Sequence, residues 1–580
     1  MSEVIAVWDT FDGGHWGNIG PIKAQPNQWG GQNVTVDGQG RLAPVSNFVS
    51  LTVANTPSTG QLMGMFWAWG SDGRVYYVQN RTGSTTTSIV YRFSPDPTAS
   101  NTITTVTTLT YLSSVAPDWA LVADELYMTL YSNKTYRIAI SGNTTSALAG
   151  TYGNAPAGRC IALYGERLVV GGVKDARFGN VPNRIVFSGD DTNNNPVDRT
   201  AWETLNYFDV GPPDAVITGL YATRDYLTVV MADQTVYTVT GVLGSTAVAR
   251  RMNGYAKGSG AIESFAPSHG VVDPSQTKVW MFDHATNGVQ RFNGASTSRL
   301  PGVGRPRQDR AQSTVPYGDL VALGGSDEFL AFGVEVGAEG GSKANRASTP
   351  LTLVRKNSMN SIVKMFSDVN TGFNGFGPNR VVANDRAQVV ICTDDGGLDT
   401  NPKFEYWYAG APQWDGSVLF SGGDQADDVP YYASGGLSQG SSLQFPYKRP
   451  QKTNIEWEID GFLVDFIPRP ADASNYGWDL GSTTSTNTVV ITGYAVGDGI
   501  PAFSRSAASA TSSGVYSTSA LTWSSTYGAG ASDIWPNVRT AFFPARMSRV
   551  RAARVVLSSV KDARIVSVTL MGKQVPGRTV

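Results

Sequence analysis

Apolar residues along this chain come in short runs broken by glycine, asparagine, aspartate and serine. RVYYVQN (74–80), SIVYRF (88–93), LYMTLY (126–131), RLVVGGV (167–173), YLTVVMA (226–232), KVWMFD (278–283) and QVVICTD (388–394) are typical. Runs this short, with turn residues at both ends, predict β-strands, and helical periodicity is nearly absent. The strands also repeat. YMTLYSNKTYRIAI (127–140), LTVVMADQTVYTVT (227–240) and VWMFDHATNGVQRF (279–292) each read as an apolar strand, a polar turn and a second strand carrying an aromatic residue. RCIALYGERLVVGG, ITGLYATRDYLTVV and VPYGDLVALGG lie between such hairpins.

The units recur about every 40–55 residues, the period of propeller blades. A lone four-stranded sheet cannot bury both faces, but sheets stacked around an axis cover one another. The fold expected is therefore all-β: a β-propeller of about six to seven blades with a C-terminal β-sandwich. Expected boundaries are a glycine-rich arm and hairpin over 1–50, the propeller over 51–410, a loop-rich connection over 411–450 and the sandwich over 451–580. VGAEGGSKANRASTP (336–350) breaks the pattern as a long loop. In the last region Ile455, Trp457 and Ile459 alternate with period two, as on a half-buried strand.

Composition narrows the reading. Of 580 residues, 41% are hydrophobic, enough for a buried interior, while only 16% are charged and 64 are glycine. A net charge of −2 argues against whole-protein attraction to nucleic acid or membranes. The two cysteines, Cys160 and Cys392, sit far apart in apolar runs and read as buried thiols. MSEVIAVWDTFDGG does not read as a signal peptide, and no apolar stretch is long enough for a membrane helix.

Candidate chemistry is sparse. His15, His269 and His284 have no metal-ligand spacing, and H-E-x-x-H, G-x-S-x-G and phosphate-loop motifs are absent. No cofactor is expected. Glycan hydrolysis would need paired carboxylates, and SDGRVYY and TDDGGLDTNPKFEYW only faintly echo the blades of propeller hydrolases. Asp190, Asp191, Asn193 and Asp198, like TDDGGLD (393–399) and GGDQADD (422–428), match no spaced calcium pattern and read as solvated turns. The expectation is a protein that is not an enzyme.

The most asymmetric segment is ARMSRVRAARVVLSSVKDARIVSVTLMGKQVPGR. It carries Arg546, Arg549, Arg551, Arg554, Lys561, Arg564, Lys573 and Arg578 against Asp562 alone. If RVRAARVVL is one strand, Arg549 and Arg551 share a face that meets a protein neighbour or phosphates; the alternative is a charged edge that discourages strand addition. Arg546, Arg549, Arg551 and Arg554 are thus candidate subunit contacts.

The leader FDGGHWGNIGPIKAQPNQWGGQNVTVDGQGRLAP supplies a family. Phe11, Gly13, Gly14, Pro26, Asn33, Val34, Asp37, Gly40 and Leu42 stand in an order that resembles the opening of propeller-type tail proteins of tailed bacteriophages, the hub, nozzle and related minor tail proteins. APVSNF follows where that family carries a basic Arg-Lys-Arg-Pro-Gly. A second patch resembles one of their blades: Arg184 to Ser188, Trp202, Phe208-Asp209-Val210-Gly211, Ile217-Thr218-Gly219 and Arg224-Asp225.

The resemblance implies a structural virion protein synthesised in the host cytoplasm. It would form a homo-oligomeric ring around the DNA exit channel, with other tail or adaptor proteins and passing viral DNA as partners. On that reading the leader latches onto the ring or a neighbour, with Trp8, Phe11, Trp16 and Trp29 as further candidate subunit contacts. The alternatives are a receptor- or carbohydrate-binding propeller at the tail tip, with aromatic residues as sugar platforms, and a glycan hydrolase.

Overall fold

The computed structural model describes most of 2–14, 23–44 and 49–252, chiefly strands between 270 and 408, and most of 441–468, 488–497, 512–517 and 539–577. The protein is almost all-β, built from several small antiparallel sheets; the helical content among the described residues is a 3-10 turn at Ala176–Phe178. The chain divides into two compact units. One holds 1–48, 350–365 and 411–580; the other holds 49–349 and 366–410.

The second unit is a succession of up-and-down sheets. Sheet I is Gly60–Ala68, Arg74–Arg81, Ser88–Phe93 and Thr104–Leu109. Sheet II is Asp118–Val122, Glu125–Thr129, Thr135–Ala139 and Thr144–Ala147; sheet III is Cys160–Tyr164, Arg167–Gly171, Arg184–Phe187 and Tyr207–Asp209. Sheet IV is Ile217–Ala222, Leu227–Met231, Val236–Thr240 and Val248–Arg251; sheet V is Gly270–Val272, Val279–Asp283, Gly288–Phe292 and Thr297–Gly304. Within this unit sheet VI holds Val315–Leu323, Glu328–Val336 and Ala347–Ser348. Sheet VII joins Arg380–Ala383, Gln388–Cys392 and Phe404–Tyr408 to a fourth strand from far upstream, Val49–Ser50. The three repeated hairpins expected from the sequence are the central pairs of sheets II, IV and V.

The second strands read as unbroken apolar runs because both their faces are covered. All of Arg167–Gly171 is buried. Leu168 and Val170 pack with Ala120, Val122 and Tyr127 of sheet II, whereas Val169 packs with Leu227, Val229 and Met231 of sheet IV. Such two-sided burial replaces alternation with continuous hydrophobicity. Sheets I and II share a core around Tyr76, Val78, Leu126 and Met128, and sheets IV and V share one around Tyr226, Val230, Val279 and Phe292. Phe404 of sheet VII lies against Tyr77 and Phe93 of sheet I, with ring centroids 5.3 and 4.8 Å apart. Both thiols are buried, Cys160 at the start of sheet III and Cys392 in sheet VII.

Polar groups tie neighbouring sheets. The Thr129 hydroxyl donates to Gly158 O at 3.0 Å and accepts from Gly158 N at 3.2 Å. Tyr226 Oη of sheet IV donates to Thr277 O at 2.9 Å. Gly211 has φ +70 and leaves a site where a Cβ would stand 2.7 Å from Tyr237 Oη, so glycine is needed there for both backbone and space.

The first unit is knit from distant segments. Its six-stranded sheet runs Val34–Val36, Leu42–Pro44, Ala563–Pro576, Ile455–Pro468, Arg539–Val550, with Glu3–Trp8 also paired to Ala563–Pro576. Its five-stranded sheet runs Gly30–Gln32, Ser441–Gln444, Ala553–Lys561, Thr488–Gly497, Ser512–Ser517. The two sheets share one core: Phe462, Val464, Phe543 and Val568 from the first, Leu443, Val555 and Leu557 from the second. Sequence reading separated the 1–50 arm from the 451–580 region, whereas the structure folds both into this unit.

Candidate interaction surface

Each candidate contact residue sits in the first unit or outside the described residues. Glu3–Trp8 adds to the Ala563–Pro576 strand in antiparallel register, with Val7 opposite Thr569 and Trp8 opposite Val568. This turns Trp8 inward. Its ring lies 5.9 Å from Phe445, its Nε1 donates to Pro446 O at 3.1 Å, and the Lys448 ammonium stands 5.2 Å above the ring. Lys448 Nζ also donates to Val7 O. Burial pushes the Lys448 pKa below the usual lysine range, opposed by the nearby charge of Asp9.

Phe11 also packs against Phe445, with ring centroids 5.9 Å apart. The chain then reverses: Gly13 N donates to Asn27 O at 3.2 Å and Trp29 N to Gly14 O at 3.1 Å. A Cβ on Gly13 would meet Asn27 Oδ1 at 2.6 Å, and Gly14 has φ +72. Gly13 and Gly14 therefore allow this close approach of 13–14 to 27–29. Trp8, Phe11, Trp29 and Leu42 are buried in the core shared with the C-terminal strands, so these side chains pack within this chain. Trp16 lies outside the described residues.

The arginines are arranged differently from the sequence reading. RVRAARVVL is not one strand: Arg539–Val550 belongs to the six-stranded sheet and Ala553–Lys561 to the five-stranded one, with the corner at Arg551 and Ala552. Arg549, at φ +56, and Arg551 flank this corner and converge on one carboxylate. Arg551 Nε donates to Glu456 Oε1 at 3.3 Å, and an Arg549 guanidinium nitrogen stands 3.8 Å from Glu456 Oε2. Glu456 is only 6% exposed. Sequence reasoning missed it because alternation put Trp457 and Ile459 inside, as they are, and so placed Glu456 outside. Arg554 donates to Gln444 Oε1 at 3.1 Å and lies over the Tyr447 ring. Lys573 pairs with Glu458 at 2.8 Å, which raises its pKa. Arg546 is exposed.

The second unit contributes a buried carboxyl group with a raised pKa. Asp118, opening sheet II, accepts from Ile161 N of sheet III at 2.8 Å and from Trp119 N at 2.9 Å. Burial pushes its pKa up to about 7, against the downward pull of these two donors. Among the described residues no group of three or more His, Cys, Asp or Glu is placed to hold a metal ion. His15, His269, His284, Asp190, Asp191, Asn193 and the acidic stretches at 393–399 and 422–428 lie outside those residues. Asp198 accepts from the Thr200 N–H and hydroxyl, a local turn.

Among the patch that resembles a phage-protein blade, Trp202 and Val210 are fully buried, while Arg184 grips Asp209 through two bonds of 2.6 and 2.8 Å. No protein-family model matches the chain, and no curated protein matches it.

Proposed function

We propose that this chain is a structural, non-catalytic component of a bacteriophage tail of the nozzle or hub type, a ring-forming subunit around the DNA exit channel. On this reading the second unit is a seven-bladed β-propeller and the two sheets of the first unit are a β-sandwich. The supporting observation for the propeller is the sequence of first strands. Gly60–Ala68 neighbours Asp118–Val122, and each later first strand neighbours the next, through Cys160–Tyr164, Ile217–Ala222, Gly270–Val272, Val315–Leu323 and Arg380–Ala383, which returns to Gly60–Ala68. Val49–Ser50 completing sheet VII supplies the overlap such a ring needs.

The tail role is carried by the leader. The residues that resemble the phage family, Phe11, Gly13, Gly14 and Leu42, are the ones that build its reversal and anchor it. A rigid, sparsely charged assembly of this kind suits a mechanical conduit. The carbohydrate-binding reading needs exposed aromatic platforms; among the described residues Trp8, Trp29, Trp202, Trp280 and Trp457 are buried. The test is antibody labelling of purified phage particles: tail labelling is expected, and particles devoid of the chain would end the proposal.

A further inference from the structure

Among the described residues Phe542 is the one exposed aromatic side chain, at 53%. It lies on Arg539–Val550, the strand at one edge of the six-stranded sheet, and stands opposite Leu463. Its ring reaches along the sheet onto the buried Gly461: a Cβ there would stand 2.7 Å from Phe542 Cζ and 2.8 Å from Cε2. A side chain at 461 would push the ring away. Glycine inside a strand weakens it and often marks a place where a ligand or another backbone comes close. Here it seats an aromatic ring on the sheet and leaves the ring's far side to solvent.

A carboxylate is fixed beside this ring. Asp465 and Leu463 are two residues apart on one face of Ile455–Pro468, so the Asp465 row lies about 7 Å along the sheet from the Phe542 row. Asp465 stands opposite Thr540 on one side and Ser567 on the other. Its Oδ1 accepts from the Thr540 hydroxyl and its Oδ2 from the Ser567 hydroxyl, each at 2.6 Å. Each carboxylate oxygen keeps a lone pair for a further donor, and each hydroxyl keeps acceptor capacity of its own. Past Gly461 the exposed Asp460 accepts from the Ser2 hydroxyl at 2.6 Å, and Lys573, paired with Glu458, feels its charge. That end is mixed in charge, whereas the Asp465 end is a carboxylate held by hydroxyls.

We infer that Phe542 and Asp465 form a binding site for an uncharged saccharide. The C–H face of one pyranose covers the Phe542 ring, and its outward hydroxyls donate to Asp465. A flat apolar surface beside a few placed polar groups fixes a ligand's orientation in this way. An acidic sugar meets the Asp465 charge, and a purely apolar partner leaves that carboxylate without a donor, so both are disfavoured. The site belongs to the first unit and does not rest on the tail reading: a chain that labels particles yet binds no saccharide would refute this site alone.

Calorimetric titration of the full chain with cellohexaose, maltohexaose, laminarihexaose, chitohexaose and mannohexaose tests it, with the acidic hexagalacturonate alongside. At least one neutral hexamer is expected to bind with a Kd of about 1 mM or tighter. Phe542→Ala removes the ring and is expected to weaken that binding about tenfold, with the circular dichroism unchanged. Should it misfold, Phe542→Leu keeps an apolar group over Gly461 without a flat ring and carries the same test, while Phe542→Tyr should retain binding. Asp465→Ala is expected to weaken binding about tenfold. Leu205→Ala, at an exposed site in the other unit, is expected to change nothing. No binding of any neutral hexamer up to about 10 mM would overturn the inference. So would binding that survives both Phe542→Leu and Asp465→Ala, or hexagalacturonate binding tighter than every neutral hexamer.

Discussion

The two units solve the burial problem in opposite ways. In the second, most described strands pair with a near neighbour in sequence, and the exceptions include Val49–Ser50, which joins Phe404–Tyr408, and Val53–Ala54, which pairs in parallel with Asn101–Thr102. In the first, pairing spans most of the chain: Val7 meets Thr569, and Gly31 meets Leu443. Local pairing forms fast and survives point changes one sheet at a time, whereas long-range pairing waits on loop closure and depends on a few anchors. The first unit should therefore fail as a whole when an anchor is lost, while the second should lose stability in proportion to the site touched.

The largest effect is expected from Trp8→Ala. It deletes a buried ring from the shared core and should cost the first unit about 3–5 kcal/mol. In a denaturant titration followed by hydrogen exchange, the C-terminal strands should lose protection early while sheets II–IV keep theirs. Equal loss in both units would erase the contrast.

Next comes Leu51→Pro. Leu51 N donates to Phe404 O at 2.9 Å at the seam of sheet VII. Removing that donor should cost about 3 kcal/mol and raise exchange first in 380–408, with Leu51→Ala as the control for side-chain loss.

Asp118 gives a pH signature confined to the second unit. Its folded pKa, about 7, lies above the unfolded value of 3.8, so the folded state holds the proton more tightly. The associated stability is full below pH 3.8 and is lost as pH rises through about 7. Melting of wild type against Asp118→Asn should show this slope in the wild type alone; parallel pH profiles would count against it.

The smallest effect is expected at the corner. Glu456→Gln should cost only about 1 kcal/mol, because Arg549 and Arg551 both reach solvent and are screened there. A loss several times larger, read from the first unit's transition, would mean the corner depends on that charge.

The same contrast explains what could be read in the chain. The hairpins of sheets II, IV and V were legible because both strands and their turn lie within 14 residues, as in YMTLYSNKTYRIAI. The sharing of strands between the chain's ends was not, since nothing local in EVIAVW names a partner near residue 569. RVRAARVVL invites a single-strand reading because it holds no glycine, proline or other turn residue, yet its alternation shifts at Ala552–Ala553, both buried, where the chain leaves one sheet for the other. The left-handed backbone at Arg549 lies just before that switch. Trp8, Phe11 and Trp29 stood out in the sequence as candidate subunit contacts; that they pack into this chain's own core, Trp8 and Phe11 against Phe445, was invisible without the fold.

The central proposal is that the sheets of the second unit close into a ring, with Val49–Ser50 completing sheet VII. Averaged electron micrographs of the purified chain viewed down that unit's axis test it most directly. A disc with seven spokes is the expected image; an open arc, or a disc with a different number of spokes, would contradict it.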